Sequence, residues 1–174
     1  MKLRCDLHVN GENRKLLLVP GPNEIGERLA LKLAGFLLFW TFDPKVDAST
    51  KTAALAQFEF LPDLVGLNDA GEIALWVDCQ TTTMNKLTKL TRRLPRGRIV
   101  VLKEDERGAA RLRVDAAAQL DRPERIEILA FPGASFREWL SCLGEKVEIF
   151  GDSTERLLNV VVNGHPVATD LKAF

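Results

Sequence analysis

Residues 57–80, QFEFLPDLVGLNDAGEIALWVDCQ, carry the clearest structural pattern of this chain. Two apolar runs flank residues 68–71, and the Asn, Asp and Gly of that tetrapeptide are typical turn formers. Successive side chains of a strand alternate between its two faces, which places Trp76, Asp78 and Gln80 on one face of the second run. The stretch therefore predicts a central β-hairpin.

The hairpin brings one aspartate of each arm near the other. A turn near Asp69 places Asp63 roughly across from Trp76, one diagonal step from Asp78. Paired carboxylates hold Mg²⁺ in enzymes that cleave phosphodiesters. Acids at strand ends are also often only solvated, and a Pro-Asp pair commonly begins a turn, so spacing alone leaves both interpretations open.

The rest of the chain alternates between helical and strand patterns. Helices are predicted at residues 24–40, 81–93 and 135–143, with Asn23 as the N-cap of the first. Strands are predicted at residues 1–9, 15–19, 99–102, 125–131 and 146–150, and residues 106–120 are ambiguous but favour a helix. Residues 157–167 predict a C-terminal β-hairpin, because Asn163-Gly164 favours a type I′ turn. This order predicts an α/β fold, a mixed β-sheet flanked by helices, in a single domain over residues 1–174.

Composition and charge exclude several classes of protein. Apolar residues make up 46% and charged residues 28% of the sequence, as in globular proteins rather than in disordered or membrane proteins. The 24 basic and 24 acidic residues balance, so the chain is not a globally basic nucleic-acid binder. Three cysteines far apart in sequence favour free thiols over a disulfide framework or a zinc site. We expect a cytoplasmic protein without a signal peptide or a membrane partner.

The basic residues are unevenly distributed. No acidic residue lies between Asp78 and Glu104, and the basic residues of that segment are Lys86, Lys89, Arg92, Arg93, Arg96, Arg98 and Lys103. A local basic field beside the two aspartates suits a phosphate-rich ligand. The candidate nucleic-acid-binding residues are Lys89, Arg92, Arg93 and Arg96, and a solvated helix face is the alternative interpretation.

The motif Pro62-Asp63, followed by Asp78-x-Gln80, resembles the core of the PD-(D/E)xK nuclease superfamily. The order of helix, hairpin, basic helix and strand over residues 23–102 is also similar. The resemblance implies that Asp63 and Asp78 bind Mg²⁺, that a helical glutamate assists, and that a lysine positions the attacking water. Glu27 is the preferred helical glutamate, ahead of Glu24. Gln80 stands where that lysine is usual, and a neutral amide supplies no positive charge to a phosphate.

Two further segments resemble the bacterial YaeQ family, and this likeness extends over nearly the whole chain. PNEIGERLALKL, residues 22–33, matches the start of the family's long helix, and GEIALWVDC, residues 71–79, matches its central strand. The resemblance implies a restriction-endonuclease-like core with a C-terminal β-hairpin, in a group without established activity. That family is expected to carry glutamate at the position of Asp78, which marks this chain as a divergent relative.

Two functions follow from these expectations. The first is a Mg²⁺-dependent phosphodiesterase acting on nucleic acid, with Asp63, Asp78, Gln80 and Lys86 at the catalytic centre and Glu27 as a further metal ligand. The second is a catalytically inactive module on the same fold, which binds nucleic acid or acts through a protein partner. The edge of the terminal hairpin would offer a contact for a protein partner or for a second copy of the chain.

Overall fold

Four helices and eleven strands make up the fold. The computed structural model describes residues 1–174. The helices are α1 (Gly26–Leu38), α2 (Met84–Arg93), α3 (Glu106–Gln119) and α4 (Ser135–Ser141). The strands are β1 (Leu3–Val9), β2 (Glu12–Leu18), β3 (Lys45–Val46), β4 (Leu64–Leu67), β5 (Ile73–Cys79), β6 (Arg98–Lys103), β7 (Ile126–Ala130), β8 (Lys146–Ser153), β9 (Leu157–Val162), β10 (His165–Asp170) and β11 (Lys172–Ala173). None of the helices is long and apolar enough to cross a membrane.

The strands form two mixed sheets. The five-stranded sheet has the order β10-β9-β8-β1-β2, in which only β1 and β8 are parallel neighbours. The six-stranded sheet has the order β11-β7-β6-β5-β4-β3, with β5, β6 and β7 parallel and the outer pairs antiparallel. The predicted α/β class is confirmed. The division into two sheets was not predicted, because strand order depends on pairing between segments far apart in sequence.

Helix α1 packs between the two sheets. All ten residues from Leu29 to Leu38 are buried, so this helix is enclosed on every side rather than on one stripe. Its side chains join a core cluster of 32 buried residues that includes both sheets and α4. A Cβ on Gly35 would lie 2.9 Å from Leu102 Cδ1 and 3.0 Å from Leu64 Cδ1, so glycine allows the close approach of α1 to the six-stranded sheet.

Helices α2 and α3 cover the other face of the six-stranded sheet. A second cluster of 16 buried residues joins the two helices to that face, where Trp76 and Val101 are fully buried. The resulting order of layers is sheet, helices, sheet, helices. Each face of the six-stranded sheet is therefore covered, as expected for a sheet with parallel strands at its centre.

Local sequence signals located most of these elements correctly. The ambiguous residues 106–120 form α3, whose N-cap Asp105 accepts a hydrogen bond from the Gly108 N–H. The turn of the terminal hairpin has φ of 49° at Asn163 and 83° at Gly164, which confirms the expected type I′ geometry. The predicted N-cap of α1 was wrong: Asn23 lies in a preceding turn with φ of 62°, and α1 begins two residues after Glu24.

Candidate functional site

The candidate site lies at the edge of the six-stranded sheet where β5 and β6 end and β4 begins. Ligand sites of open α/β sheets commonly lie at the carboxyl ends of parallel strands. Asp63 immediately precedes β4, and Asp78 is the penultimate residue of β5. The central hairpin therefore brings the two predicted aspartates to the same edge of the sheet.

Asp63 is held by one backbone amide and by two cations of α1. Its Oδ2 accepts a hydrogen bond of 2.6 Å from the Cys79 N–H, and its Oδ1 accepts one of 2.7 Å from the Arg28 guanidinium. The Lys32 ammonium lies 3.7 Å from the same Oδ1. Asp63 is only 4% exposed, so these groups supply most of the stabilisation that water would otherwise give its charge.

Asp78 is the more deeply buried of the two, with 1% of its surface exposed. Its Oδ1 accepts hydrogen bonds from Trp76 Nε1 at 3.0 Å and Lys86 Nζ at 2.9 Å, and its Oδ2 accepts one from Thr82 Oγ1 at 3.0 Å. Burial raises the pKa of Asp78, the charge of Lys86 opposes that rise, and the nearby charge of Asp63 adds to it. The site thus contains a carboxyl group that is costly to ionise.

The two carboxylates contact helices on opposite faces of the sheet. Arg28 and Lys32, which contact Asp63, belong to α1, whereas Lys86, which contacts Asp78, belongs to α2. The sequence pattern placed the two aspartates beside one shared cation. The structure instead gives each carboxylate its own cationic partner.

The strand register explains this difference. Leu64 pairs with Val77, so Asp63 lies beside the end of β5. The prediction that Asp63 lies across from Trp76 is wrong, because Trp76 pairs with Val65. The Asp63 N–H donates to the Val77 carbonyl at 2.9 Å, outside the regular β4–β5 ladder. Alternation of faces holds only within the ladder, and Asp63 turns towards α1.

Lys32 is the centre of an ion cluster on the α1 side. Its ammonium lies 2.5 Å from Glu24 Oε1 and 2.7 Å from Asp47 Oδ1, in addition to the longer contact with Asp63. Only 4% of the Lys32 side chain is exposed. Burial alone would lower the pKa of Lys32, but the contacts with Asp47 and Glu24 outweigh it and raise that pKa.

Glu24, rather than Glu27, is the helix-proximal acid of this cluster. Burial would raise the pKa of Glu24, but hydrogen bonds from Lys32 and from the Gly21 N–H lower it. One open cleft of about 430 Å³ has these charged residues in its lining: Glu24, Arg28, Lys32, Asp47 and Asp63. Glu27 and Asp78 do not line this cleft, and Glu27 forms no ion pair.

Gln80 and Lys86 occupy distinct positions at the end of β5. Gln80 has φ of 69°, its N–H donates to the Leu102 carbonyl at 2.9 Å, and its own carbonyl accepts from the Lys103 ammonium. The Gln80 side chain forms no hydrogen bond. Lys86 bridges Asp78 and the Leu61 carbonyl, the latter at 3.2 Å, so an amine does reach the acid from the following helix.

The polar groups of this edge are close to electrical balance. The cations Arg28, Lys32 and Lys86 contact the carboxylates Glu24, Asp47, Asp63 and Asp78. No group of three or more His, Cys, Asp or Glu side chains is arranged to hold a metal ion. The residues as placed therefore do not fit a Mg²⁺ centre, because protein cations already neutralise most of the charge that would attract the ion. Binding of Mg²⁺ by Asp63, Asp78 and Glu27 stays a prediction.

The basic segment extends away from the acids rather than around them. Lys86 and Lys103 lie at the acidic edge, whereas Arg96 and Arg98 lie at the opposite end of β6. Lys86 and Arg93 are seven positions apart on α2, which is about 10 Å along the helix axis, and Arg96 lies beyond the end of that helix. The basic field and the carboxylates are therefore only partly adjacent.

Acidic residues from other elements pair with most of this segment. Lys89 lies 2.8 Å and Arg93 3.5 Å from Glu59, and Arg92 lies 3.7 Å from Asp121. Arg98 contacts both Glu127 and Glu155 at 2.8 Å. Arg96 is exposed, forms no ion pair, and lines a second cleft of about 490 Å³ together with Arg93.

Sequence reasoning missed Lys32, Asp47 and Thr82 as members of the site. One signal for Lys32 was present, since it is the only charged residue among the apolar positions 29–38 of the helix. A lysine buried all round is rare unless its charge is paired. Asp47 and Thr82 lie in loops, where no periodicity indicates which residues approach the site.

Two solved structures of YaeQ proteins share this fold. The structure of the YaeQ protein from Xanthomonas axonopodis pv. citri matches with a TM-score of 0.74 and 16% sequence identity, over 99% of this chain and 96% of that one. The YaeQ protein from Pseudomonas syringae matches with a TM-score of 0.69 and 14% identity, over 99% and 93% of the respective chains. No family model matches the sequence, and no curated protein matches it. At these identities the likeness establishes a common fold over nearly the full length.

Proposed function

We propose that this chain is a YaeQ-like protein built on a PD-(D/E)xK core. The full-length likeness to two YaeQ structures supports the first part of the proposal. The second part is supported by Asp63 and Asp78, which stand at the ends of adjacent strands in the motif order of that superfamily. Fold alone does not specify an activity, which depends on the residues of the site.

We infer that the protein is a nucleic-acid-binding module that does not hydrolyse its ligand. One observation carries the inference: the exposed arginines lie at the far end of α2, while internal cations already balance the carboxylates at the near end. A phosphodiesterase needs its phosphate-binding cations and its metal-binding acids around one reacting phosphate. A binding module needs only an accessible basic surface.

Arg92, Arg93 and Arg96 form the proposed phosphate-binding surface. The side chains of Arg92 and Arg93 are 71% and 40% exposed, and Arg96 is exposed as well. The ion pairs of Arg92 and Arg93 are long, at 3.7 and 3.5 Å. Exposed ion pairs of this kind contribute about 0–1 kcal/mol, so a phosphate can compete with the acidic partners.

Fluorescence anisotropy with labelled single-stranded and double-stranded oligonucleotides tests this proposal. We expect the logarithm of the binding constant to fall with the logarithm of salt concentration, with a slope of about −2.7 for three phosphate contacts on duplex DNA. Arg93→Glu with Arg96→Glu should abolish binding. The matched control is Lys15→Glu with Lys51→Glu, which changes the net charge by the same amount at two exposed lysines elsewhere on the surface.

Salt-independent binding, or equal loss of binding in both double variants, would remove the proposal. The first result would mean that phosphate contacts do not supply the affinity. The second would mean that net charge matters and the surface at the end of α2 does not.

A Mg²⁺-dependent phosphodiesterase is the second candidate, and the position of the Lys86 amine supports it. Its amine contacts Asp78 at 2.9 Å and so supplies, from α2, the positive charge that Gln80 lacks. The test is Mg²⁺-dependent cleavage of the same oligonucleotides by the wild-type chain. Activity that is lost in Asp78→Asn and kept in Asp121→Asn, a change at an exposed acid, would favour this candidate over the first.

A further inference from the structure

The outer face of the five-stranded sheet carries its charges in two rows. The inner face of this sheet packs on α1, so the side chains that alternate with the buried ones on β1 and β8 face solvent. The two strands are parallel neighbours, and their register places Arg4 beside Lys146. Two residues further along each strand, Asp6 lies beside Glu148. We call these pairs the basic row and the acidic row.

Each row places two like charges side by side. Neighbouring strands lie about 4.8 Å apart, and like charges on directly adjacent positions repel each other. Arg4, Lys146 and Glu148 form no ion pair. Asp6 has one contact, at 3.9 Å, with the exposed Lys15. A single copy of the chain therefore leaves the repulsion within both rows almost uncompensated.

A second copy of the same face supplies the missing counter-charges. A two-fold axis that crosses β1 and β8 between the two rows reverses the direction of the strands and keeps each strand opposite itself. Arg4 then faces Asp6 of the second copy, and Lys146 faces Glu148 of the second copy. The same four residues line an open cleft of about 690 Å³, which leaves room for the side chains of the other copy. We propose that the chain forms a symmetric dimer through this face, with the basic row of each copy on the acidic row of the other.

Exposed apolar side chains beside the rows add to the affinity. Leu17 of β2 lies next to Arg4 and is 57% exposed. Phe150 of β8 and its neighbour Val161 of β9 are 47% and 40% exposed. Covering these side chains favours association more than exposed ion pairs do, since water screens such pairs. The charged rows instead determine which partner and which orientation are accepted.

The size of the face indicates a weak dimer. Five strands and about six residues of each measure roughly 24 Å by 20 Å in projection, or about 1,000 Å² for the two copies together. This area is at the lower end of the range for specific protein interfaces. We therefore expect a reversible dimer that dissociates on dilution.

Sedimentation equilibrium of the wild type and two double variants tests the proposal. Arg4→Glu with Lys146→Glu makes both rows acidic, and Asp6→Lys with Glu148→Lys makes both rows basic. Each double variant alone should raise the Kd of the dimer at least about 100-fold, because every contact between rows becomes a contact of like charges. An equimolar mixture of the two variants should form a heterodimer with about the wild-type Kd, because every contact then joins opposite charges again.

A control variant separates contact between the faces from attraction between net charges. Lys51→Glu with Arg107→Glu changes net charge by as much as the acidic double variant does, at two exposed residues outside this sheet. Alone, this control should dimerise like the wild type. Mixed with the basic double variant, it should form far less heterodimer than the acidic double variant does.

Three results would overturn the proposal. The first is a wild type that stays monomeric up to about 1 mM. The second is a wild-type Kd in both double variants, and the third is a mixture of the two folded variants that forms no heterodimer. Circular dichroism reports whether each variant folds; Arg4→Gln with Lys146→Gln replaces one that does not, and an unchanged Kd in that variant would equally overturn the proposal. No nucleic acid is involved, so the outcome is independent of the function proposed above.

Discussion

Asp63 and Asp78 stand at the ends of adjacent strands, yet their carboxylates contact helices on opposite faces of the sheet. Asp63 contacts Arg28 of α1 at 2.7 Å, and Asp78 contacts Lys86 of α2 at 2.9 Å. Two buried acids that share no cation are stabilised separately. The ionic contacts on the two faces of the sheet can therefore be tested independently by substitution.

Substitution of Glu24 by glutamine should destabilise the protein at neutral pH only. The folded state lowers the pKa of Glu24, through Lys32 and the Gly21 N–H acting against burial. A lowered acid pKa stabilises the fold above the usual glutamate range, and this stabilisation is lost as pH falls through the folded pKa. We expect Glu24→Gln to cost roughly 1–3 kcal/mol near pH 7, because Lys32 loses a charged partner.

Urea unfolding of Glu24→Gln and wild type, at about pH 7 and about pH 3, measures this difference. Glu27→Gln is the matched control, because Glu27 forms no ion pair in the cluster. An equal loss of stability at both pH values would contradict the prediction, since it would indicate a packing defect rather than a lost charge.

Substitution of Asp78 by asparagine should have the opposite pH dependence. The folded state raises the pKa of Asp78, chiefly through burial, so its stabilising contribution is present below the usual aspartate range and is lost as pH rises through the folded pKa. Asparagine resembles the protonated acid in shape and charge. At neutral pH we expect Asp78→Asn to be at least as stable as wild type, with Lys86 turning towards solvent.

The same urea titrations measure this effect on the free energy of unfolding. A loss of more than about 2 kcal/mol at neutral pH would mean that the contact between Asp78 and Lys86 outweighs the cost of burying the charge.

Lys86 and Lys89 should differ in importance although both belong to α2 and both form ion pairs at 2.8–2.9 Å. Lys86→Met leaves the buried carboxylate of Asp78 without its cation, and we expect a loss of about 3–5 kcal/mol near pH 7. Lys89→Met removes a partner of Glu59, whose side chain is 59% exposed, and should cost much less, because water screens an exposed ion pair. Equal losses in the free energy of unfolding of the two variants, measured by chemical denaturation, would show that the burial of Asp78 does not determine the cost of removing its cation.

Gly35→Ala should destabilise the protein although alanine favours helix. A Cβ at Gly35 would lie 2.9 Å from Leu102 Cδ1 and 3.0 Å from Leu64 Cδ1, closer than carbon atoms pack. We expect this overpacking to cost about 1–3 kcal/mol. The control is Gly26→Ala in the same helix, where no atom lies within 4 Å of the added Cβ and the change should be neutral or stabilising. A stable Gly35→Ala variant would mean that α1 shifts easily against the sheet.

Local patterns in the sequence predicted the elements well. Residues 57–80 form the central hairpin, Asn163-Gly164 forms the expected tight turn, and the helical periodicity of residues 24–40 corresponds to α1. Each of these depends on side-chain spacing or on the backbone preference of a few neighbouring residues. The same patterns also placed Asp63 and Asp78 at one edge of a sheet.

Contacts between residues far apart in sequence could not be predicted from local patterns. The basic segment looked unpaired because its acidic partners, among them Glu59 and Glu127, are up to dozens of residues away and reach it only through folding. The acid that joins the ion cluster beside α1 is Glu24. Glu27 had been preferred because it lies further along the helix. Helical position did not indicate which of the two faces the cleft, since α1 begins only at Gly26.

The sequence by itself determined the secondary structure, the α/β class and the candidate acids, because these depend on the intrinsic preferences of the residues and on their periodic spacing. Only the tertiary structure decided that each acid has a cation of its own and that Lys32 lies at the centre of the cleft. Electrostatic energy depends on distance in space and on exclusion of water, and both are set by the packing of α1 between two sheets rather than by separation along the chain.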